Sequence, residues 1–206
     1  MIDKLAICNG ALRLLRETQL TQAELTNNSR EPARVFNSIW DDGGVRATLE
    51  FGQWKFAKRS VMLEASPSID PEFGFAFAFD KPTDWVRTIG TWSDEAMTAP
   101  LRNIRDEAGY WYANLDTFYA AYVSDDAAFG GDYSLWPQTF VRFVQAHFAA
   151  EMAGPMTDAG KELVQIRKMR LSEALSNDAM ADPSRDLPPG SWVTARSGWF
   201  RSRENG

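Results

Sequence analysis

The chain opens with an apolar stripe of helical period. In MIDKLAICNGALRLLRE, Leu5, Cys8, Leu12 and Leu15 recur at three- and four-residue spacing, one face of an amphipathic helix. The polar stretch TQLTQAELTNNSR reads as a loop, with Asn28 as N-cap of the next helix because Glu31 stands three residues on and Pro32 falls in the first turn. Val35, Ile39, Val45 and Leu49 continue a helical stripe, widened by Phe36 and Trp40. Gly43 and Gly44 interrupt it, each at about 1 kcal/mol relative to alanine, so the expectation is one long, weakened helix ending near Phe51-Gly52.

From Trp54 the period shortens to two. WKFAKRSVML, FGFAFAF, DWVRTIGTW, PLRNIRD, GYWYANL and TFYAAYVS are short, aromatic or β-branched, and separated by Pro, Gly, Ser and Asp clusters. These six segments predict a small antiparallel sandwich or open barrel. In FGFAFAF the strict alternation predicts that Phe73, Phe75, Phe77 and Phe79 share one strand face and form the core of this β domain. Gly74, Ala76 and Ala78 then leave the opposite face open to a close neighbour.

Helical period returns at Pro137, with Phe140, Val141, Val144, Phe148 and Met152 on one stripe. After GPMT, Thr157 or Asp158 caps a further helix whose stripe runs through Leu163, Ile166, Met169 or Arg170, and Leu171-Ala174, and stops near Ala181, before Pro183, Pro188 and Pro189. The predicted fold class is α+β. Residues 1–55 and 134–182 form a helical bundle from both chain ends, residues 56–133 an inserted small antiparallel β domain, and residues 183–206 an extended C-terminal arm.

Composition narrows the function classes. The formal charge of −6 and pI near 4.9 argue against binding to a phosphate backbone as the main activity. The charge is unevenly spread. Arg185, Arg196, Arg201 and Arg203 against Asp186 and Glu204 give the arm +2, leaving −8 on the rest. Cys8 is the single cysteine, which excludes an intramolecular disulfide, and its place in the apolar stripe reads as a small buried hydrophobe. No apolar run approaches the ~18 residues of a membrane span, and no signal sequence stands at the N-terminus; the expectation is a protein made in the cytosol, without a membrane partner.

Catalytic chemistry finds no motif. Glycine-rich phosphate loops and a GxSxG elbow are absent. His147 is the single histidine, lies mid-helix between Ala146 and Phe148, and reads as a structural side chain. The pairs Asp41-Asp42 and Asp125-Asp126 read as a solvated helix face and a loop, since adjacent aspartates point apart instead of across a cleft. The expectation is no enzyme, no catalytic residue, no cofactor and no metal. Trp192, Arg196, Trp199, Phe200 and Arg201 are hot-spot residue types in a stretch too rich in Pro and Gly to build its own core, and are expected to meet a partner or a neighbouring subunit.

The order of these pieces resembles the head-to-tail adaptor proteins of short-tailed double-stranded DNA phages, the tail tubular protein A family. The resemblance runs over about residues 5 to 175. It rests on ICNGALRLL, on ARVFNSIW leading into GQWKFAKRSVML, on FGFAFAF followed by Pro82-x-Asp84 and WVRTIG, and on WPQTFVRFVQAHFAAEMAGPMT. Gly43-Gly44 departs from the pattern, standing where helix formers are usual. The resemblance implies a structural virion protein in the phage neck, assembled in the bacterial cytoplasm. It would form a dodecameric homo-oligomeric ring between the portal protein and the tail nozzle protein, around a channel through which DNA passes without specific binding. The alternative from another class is a host-surface carbohydrate-binding or hydrolytic tail component.

Overall fold

The computed structural model describes residues 2–71, 73–154 and 158–181. Over these the chain is mixed helix and antiparallel sheet, of the α+β class. The C-terminal arm lies outside the described residues, as does Thr157.

Helix α1, Lys4–Leu14, starts where the Asp3 carboxylate accepts from the Ala6 N–H at 2.7 Å. It ends in a Schellman turn. Arg16 takes a positive φ of 61°, the Glu17 N–H reaches the Leu12 carbonyl at 2.9 Å, and the Arg16 N–H reaches Arg13 at 3.2 Å. Its buried face is Ile7, Cys8, Ala11 and Leu12.

The segment read as a loop contains a short helix, α2, Gln22–Thr26. A capping box starts it: the Glu24 N–H donates to Thr21 Oγ1 and the Thr21 N–H to Glu24 Oε2. Asn28 is therefore not the N-cap of the next helix. It follows the α2 C-cap with a φ of 52°, and its side-chain oxygen accepts from Asn37 Nδ2 at 2.6 Å. Helix α3, Glu31–Ile39, starts at Arg30 without a side-chain cap and carries Pro32 in its first turn.

The expected long helix is broken. Residues Trp40–Gly44 form a π-helical turn in which Gly43 has a φ of 88°, and α4, Val45–Leu49, resumes beyond it. Gly44 is the close-packed member of the pair, because an added Cβ would lie 2.9 Å from the Phe148 ring.

All six expected strands exist, in two three-stranded sheets. One has the order β1 (Lys58–Glu64), β6 (Thr117–Ser124), β3 (Trp85–Trp92); the other β2 (Phe77–Asp80), β5 (Tyr110–Ala113), β4 (Ile104–Glu107). Every pairing is antiparallel. The first sheet is a shared layer. Val123 of β6 and Val86 of β3 join the large core with the helices, whereas Phe118 and Ala120, on the other face of β6, join a smaller core with Phe79, Trp111 and Ala113 of the second sheet.

Helix α5, Gln138–Ala153, follows Pro137 and is buried at Phe140, Val141, Phe143, Val144 and Phe148. It packs on α1 and on α6, Asp158–Met180. Trp54 fills the space between the loop after α4 and α5, its ring 4.7 Å from Phe140. Polar clamps add to the contact between the sheet and the helices. Arg46 of α4 pairs with the Asp125 carboxylate and donates to the Trp85 carbonyl, and Arg87 of β3 donates to the Glu50 carbonyl at 3.0 Å.

Candidate interaction surface

The phenylalanine run does not close a core along its length. Phe79 is fully buried, but Phe73 and Phe77 are each 36% exposed and Phe75 is half-buried. The cause is in the backbone. The Phe75 N–H donates to the Phe73 carbonyl, which curls the chain into a three-residue turn, and only Phe77–Asp80 runs as strand. A turn cancels the period-two alternation, so the rings of Phe73 and Phe75 leave the face that Phe79 occupies. The Gly/Ala positions diverge as well: Ala78 is buried, while Ala76 is exposed and nothing lies within 4 Å of a Cβ placed on Gly74.

The displaced rings gather on the second sheet with an arginine. Tyr112 stands at the centre of β5, opposite Ala78 on one side and Arg105 on the other. The Phe73 ring lies 5.0 Å from Tyr112 and 6.0 Å from Phe75. The Arg105 guanidinium sits 5.0 Å from the Phe73 ring centre and 5.9 Å from that of Phe75, a cation–π contact on two aromatic faces. Tyr110 extends the row, 6.4 Å from Tyr112. Asn114 Oδ1 holds the turn by accepting from the Ala76 N–H at 2.9 Å. Glu107 lies 3.7 Å from Arg105, near enough to orient it without burying it.

A polar seam fixes the sheets behind this surface. Asp84 accepts from Arg59 at 2.9 Å, from Ser124 Oγ at 2.5 Å and from the Tyr122 hydroxyl at 3.1 Å. Burial alone would raise the Asp84 pKa, but the bonds from Ser124, Arg59 and Tyr122 outweigh it and hold the carboxyl below its usual range. Burial, and then the Asp84 charge, push the Tyr122 phenol up to about 12. Lys81 lies between the Trp85 ring, 3.9 Å away, and the Asp106 carboxylate, 2.5 Å away, with its side chain 6% exposed. Asp106 also accepts from Thr88 Oγ1 and Trp111 Nε1, each at 2.9 Å. These groups are saturated by one another, which suits a scaffold.

Cys8 is buried, and desolvation raises its thiol to about 11, so it remains a protonated core side chain. His147 is 7% exposed among the rings of Phe51, Phe143 and Phe148, and burial lowers its pKa, with opposing contributions from Glu151 and Arg167. Asp125 pairs with Arg46, and Asp126 caps its own turn by accepting from the Ala128 N–H. Among the described residues no three His, Cys, Asp or Glu side chains are grouped to hold a metal ion, and no helix is long and apolar enough to cross a membrane. Trp192, Arg196, Trp199, Phe200 and Arg201 lie outside the described residues.

No protein-family model matches the chain, and no curated protein matches it.

Proposed function

We propose that this chain is a head-to-tail adaptor: a structural protein that forms a ring between the portal and the tail nozzle of a short-tailed phage. The observation that carries the reading is the Phe73–Phe75–Tyr112–Arg105 face. Aromatic rings and arginine are the residue types that dominate protein interfaces, and here they are held on a braced sheet instead of being buried. A second strip, Met62 beside Tyr119 beside Trp92 across β1, β6 and β3, leaves Met62 54% exposed. Two apolar faces on different sheets suit a chain that meets a neighbour on each side, as a closed ring requires.

In this reading the helices from both chain ends form the bundle of the ring body and the β-rich insertion reaches the next subunit. The C-terminal arm meets the portal through Trp192, Arg196, Trp199, Phe200 and Arg201. The acidic balance keeps DNA sliding through the channel without the counterion-releasing contacts of tight binding. The test is assembly. Native mass measurement of the purified chain with isolated portal rings is expected to give a ring-on-ring complex, and a chain that stays off the portal overturns the adaptor.

The exposed ring of Phe73 beside the half-buried ring of Tyr112 also has the form of a sugar-stacking platform, and so favours one other reading, a carbohydrate-binding tail component. Retention on a host-polysaccharide column without portal binding decides for it.

A further inference from the structure

Helix α6 ends beside an open groove of about 470 Å³. One wall is the loop after α4, with Phe51 42% exposed; the other is the last turns of α6, with Leu175 38% exposed. Arg87 of β3 also lines it. Gly52 packs tightly into the groove wall, since a Cβ on it would lie 2.7 Å from the Trp54 ring and 2.8 Å from Leu175. Its mouth is built firmly: Lys55 donates from its backbone N–H to Asp178 Oδ1 at 3.0 Å and from Nζ to the Asp178 carbonyl at 2.6 Å, tying the end of α6 to the loop.

We propose that this groove is the seat of the chain's own residues 183–189, with Leu187 against Phe51 and Leu175 and Asp186 toward Arg87. Three observations commit the occupant. The described chain ends at Ala181, two residues past Ala179 on the groove's rim. Leu175 lies six residues back along the helix, roughly 9 Å at 1.5 Å per residue, and the six residues from Ala181 to Leu187 span up to about 20 Å when extended, so the return is within reach. The segment PSRDLPP supplies the matching chemistry in order: proline to end the helix, an acid for the arginine, then leucine and prolines for the apolar walls. A tethered segment enters such a groove at an effective concentration near the millimolar range, far above a second copy in dilute solution. Seating this stretch gives the arm from Trp192 onward a fixed point of departure. The proposal does not depend on the ring.

The test uses the full chain with paired cysteines, because the native Cys8 is buried and stays out of the reaction. With Leu175→Cys and Leu187→Cys, mild oxidation at low protein concentration is expected to give an intramolecular disulfide. It should form about tenfold faster than with Leu175→Cys and Gly206→Cys, since a seated segment exceeds the effective concentration of a merely tethered end. Equal rates, a disulfide-linked dimer or no disulfide each overturn the proposal. As an independent readout, full-length Leu187→Asp should speed deuterium exchange of the amides in residues 51–55, and unchanged exchange there also overturns it.

Discussion

At the scale of single residues, the four phenylalanines of FGFAFAF separate into one core ring and three others. Phe79 touches Phe118 at 4.6 Å and is fully enclosed, so Phe79→Ala should destabilise the chain by about 3–5 kcal/mol, the usual effect of emptying a buried aromatic site. Phe77 is two residues earlier on the same strand face, but at the open end of β2, so Phe77→Ala should lose only ~1 kcal/mol in the same denaturant titration. Equal losses at both sites would restore the uniform core that strict alternation predicts. Asp84 gives a second prediction at this scale. Its folded pKa is depressed, so its contribution is fully present above the unfolded value near 3.9 and fades as pH falls through the lower folded value. Asp84→Asn should therefore be less stable than the parent at neutral pH, by ~2 kcal/mol for hydrogen bonds to a charged group, and the gap should narrow below about pH 4. A gap independent of pH would show that shape, and not charge, makes Asp84 matter.

At the scale of elements, the break in the second helical stripe is a backbone effect. Gly43 has a φ of 88° and no atom within 4 Å of an added Cβ, so a side chain there meets strain and no neighbour. Gly43→Ala should destabilise the chain by about 1–2 kcal/mol and Gly43→Asn by less, since asparagine tolerates the left-handed region. If alanine is neutral, the turn has relaxed into a continuous α-helix, which circular dichroism would register as gained helicity. The same contrast marks what was legible beforehand. Six strands and the helices at both ends were readable because burial imposes a period on each, and Phe118 with Ala120 against Val123 shows that period at work. The local devices were not. The polar stretch before Pro32 contains two candidate caps with a glutamate three residues on, Thr21 and Asn28; the first closes a capping box, while the second follows a helix end with positive φ. Sequence spacing is identical for the two and does not arbitrate between them. Phe73 and Phe75 depart from the core that alternation predicts for a related reason, since alternation holds only while the chain is extended and the turn at Phe73–Phe75 is set by one backbone hydrogen bond. Arg105, which completes the surface from β4, carries no sequence signal linking it to residues some thirty positions earlier.

At the scale of the whole molecule, interface and scaffold should be separable, because the seam of Asp84, Lys81 and Asp106 that braces the sheets shares no side chain with the Phe73–Phe75–Tyr112–Arg105 face. Phe73 is partly exposed and Arg105 pairs only at the surface with Glu107, so removing them takes little from the folded monomer. The double variant Phe73→Ser, Arg105→Glu should therefore keep the parental melting temperature, within the ~0.5 kcal/mol typical of surface changes. In an assembly the same pair acts differently. A desolvated ring and a cation become a hydroxyl and a carboxylate, and an interface loses apolar contact while gaining an unpaired charge. Analytical ultracentrifugation of parent and variant in the presence of portal rings should show the parent in a large complex and the variant as a folded monomer. A variant that assembles like the parent would assign the subunit contact elsewhere, with the Met62–Tyr119–Trp92 strip as the next surface to alter. A variant that unfolds would show that the rings brace the second sheet after all, so the melting curve and the sedimentation profile together decide between a surface for partners and a piece of the core.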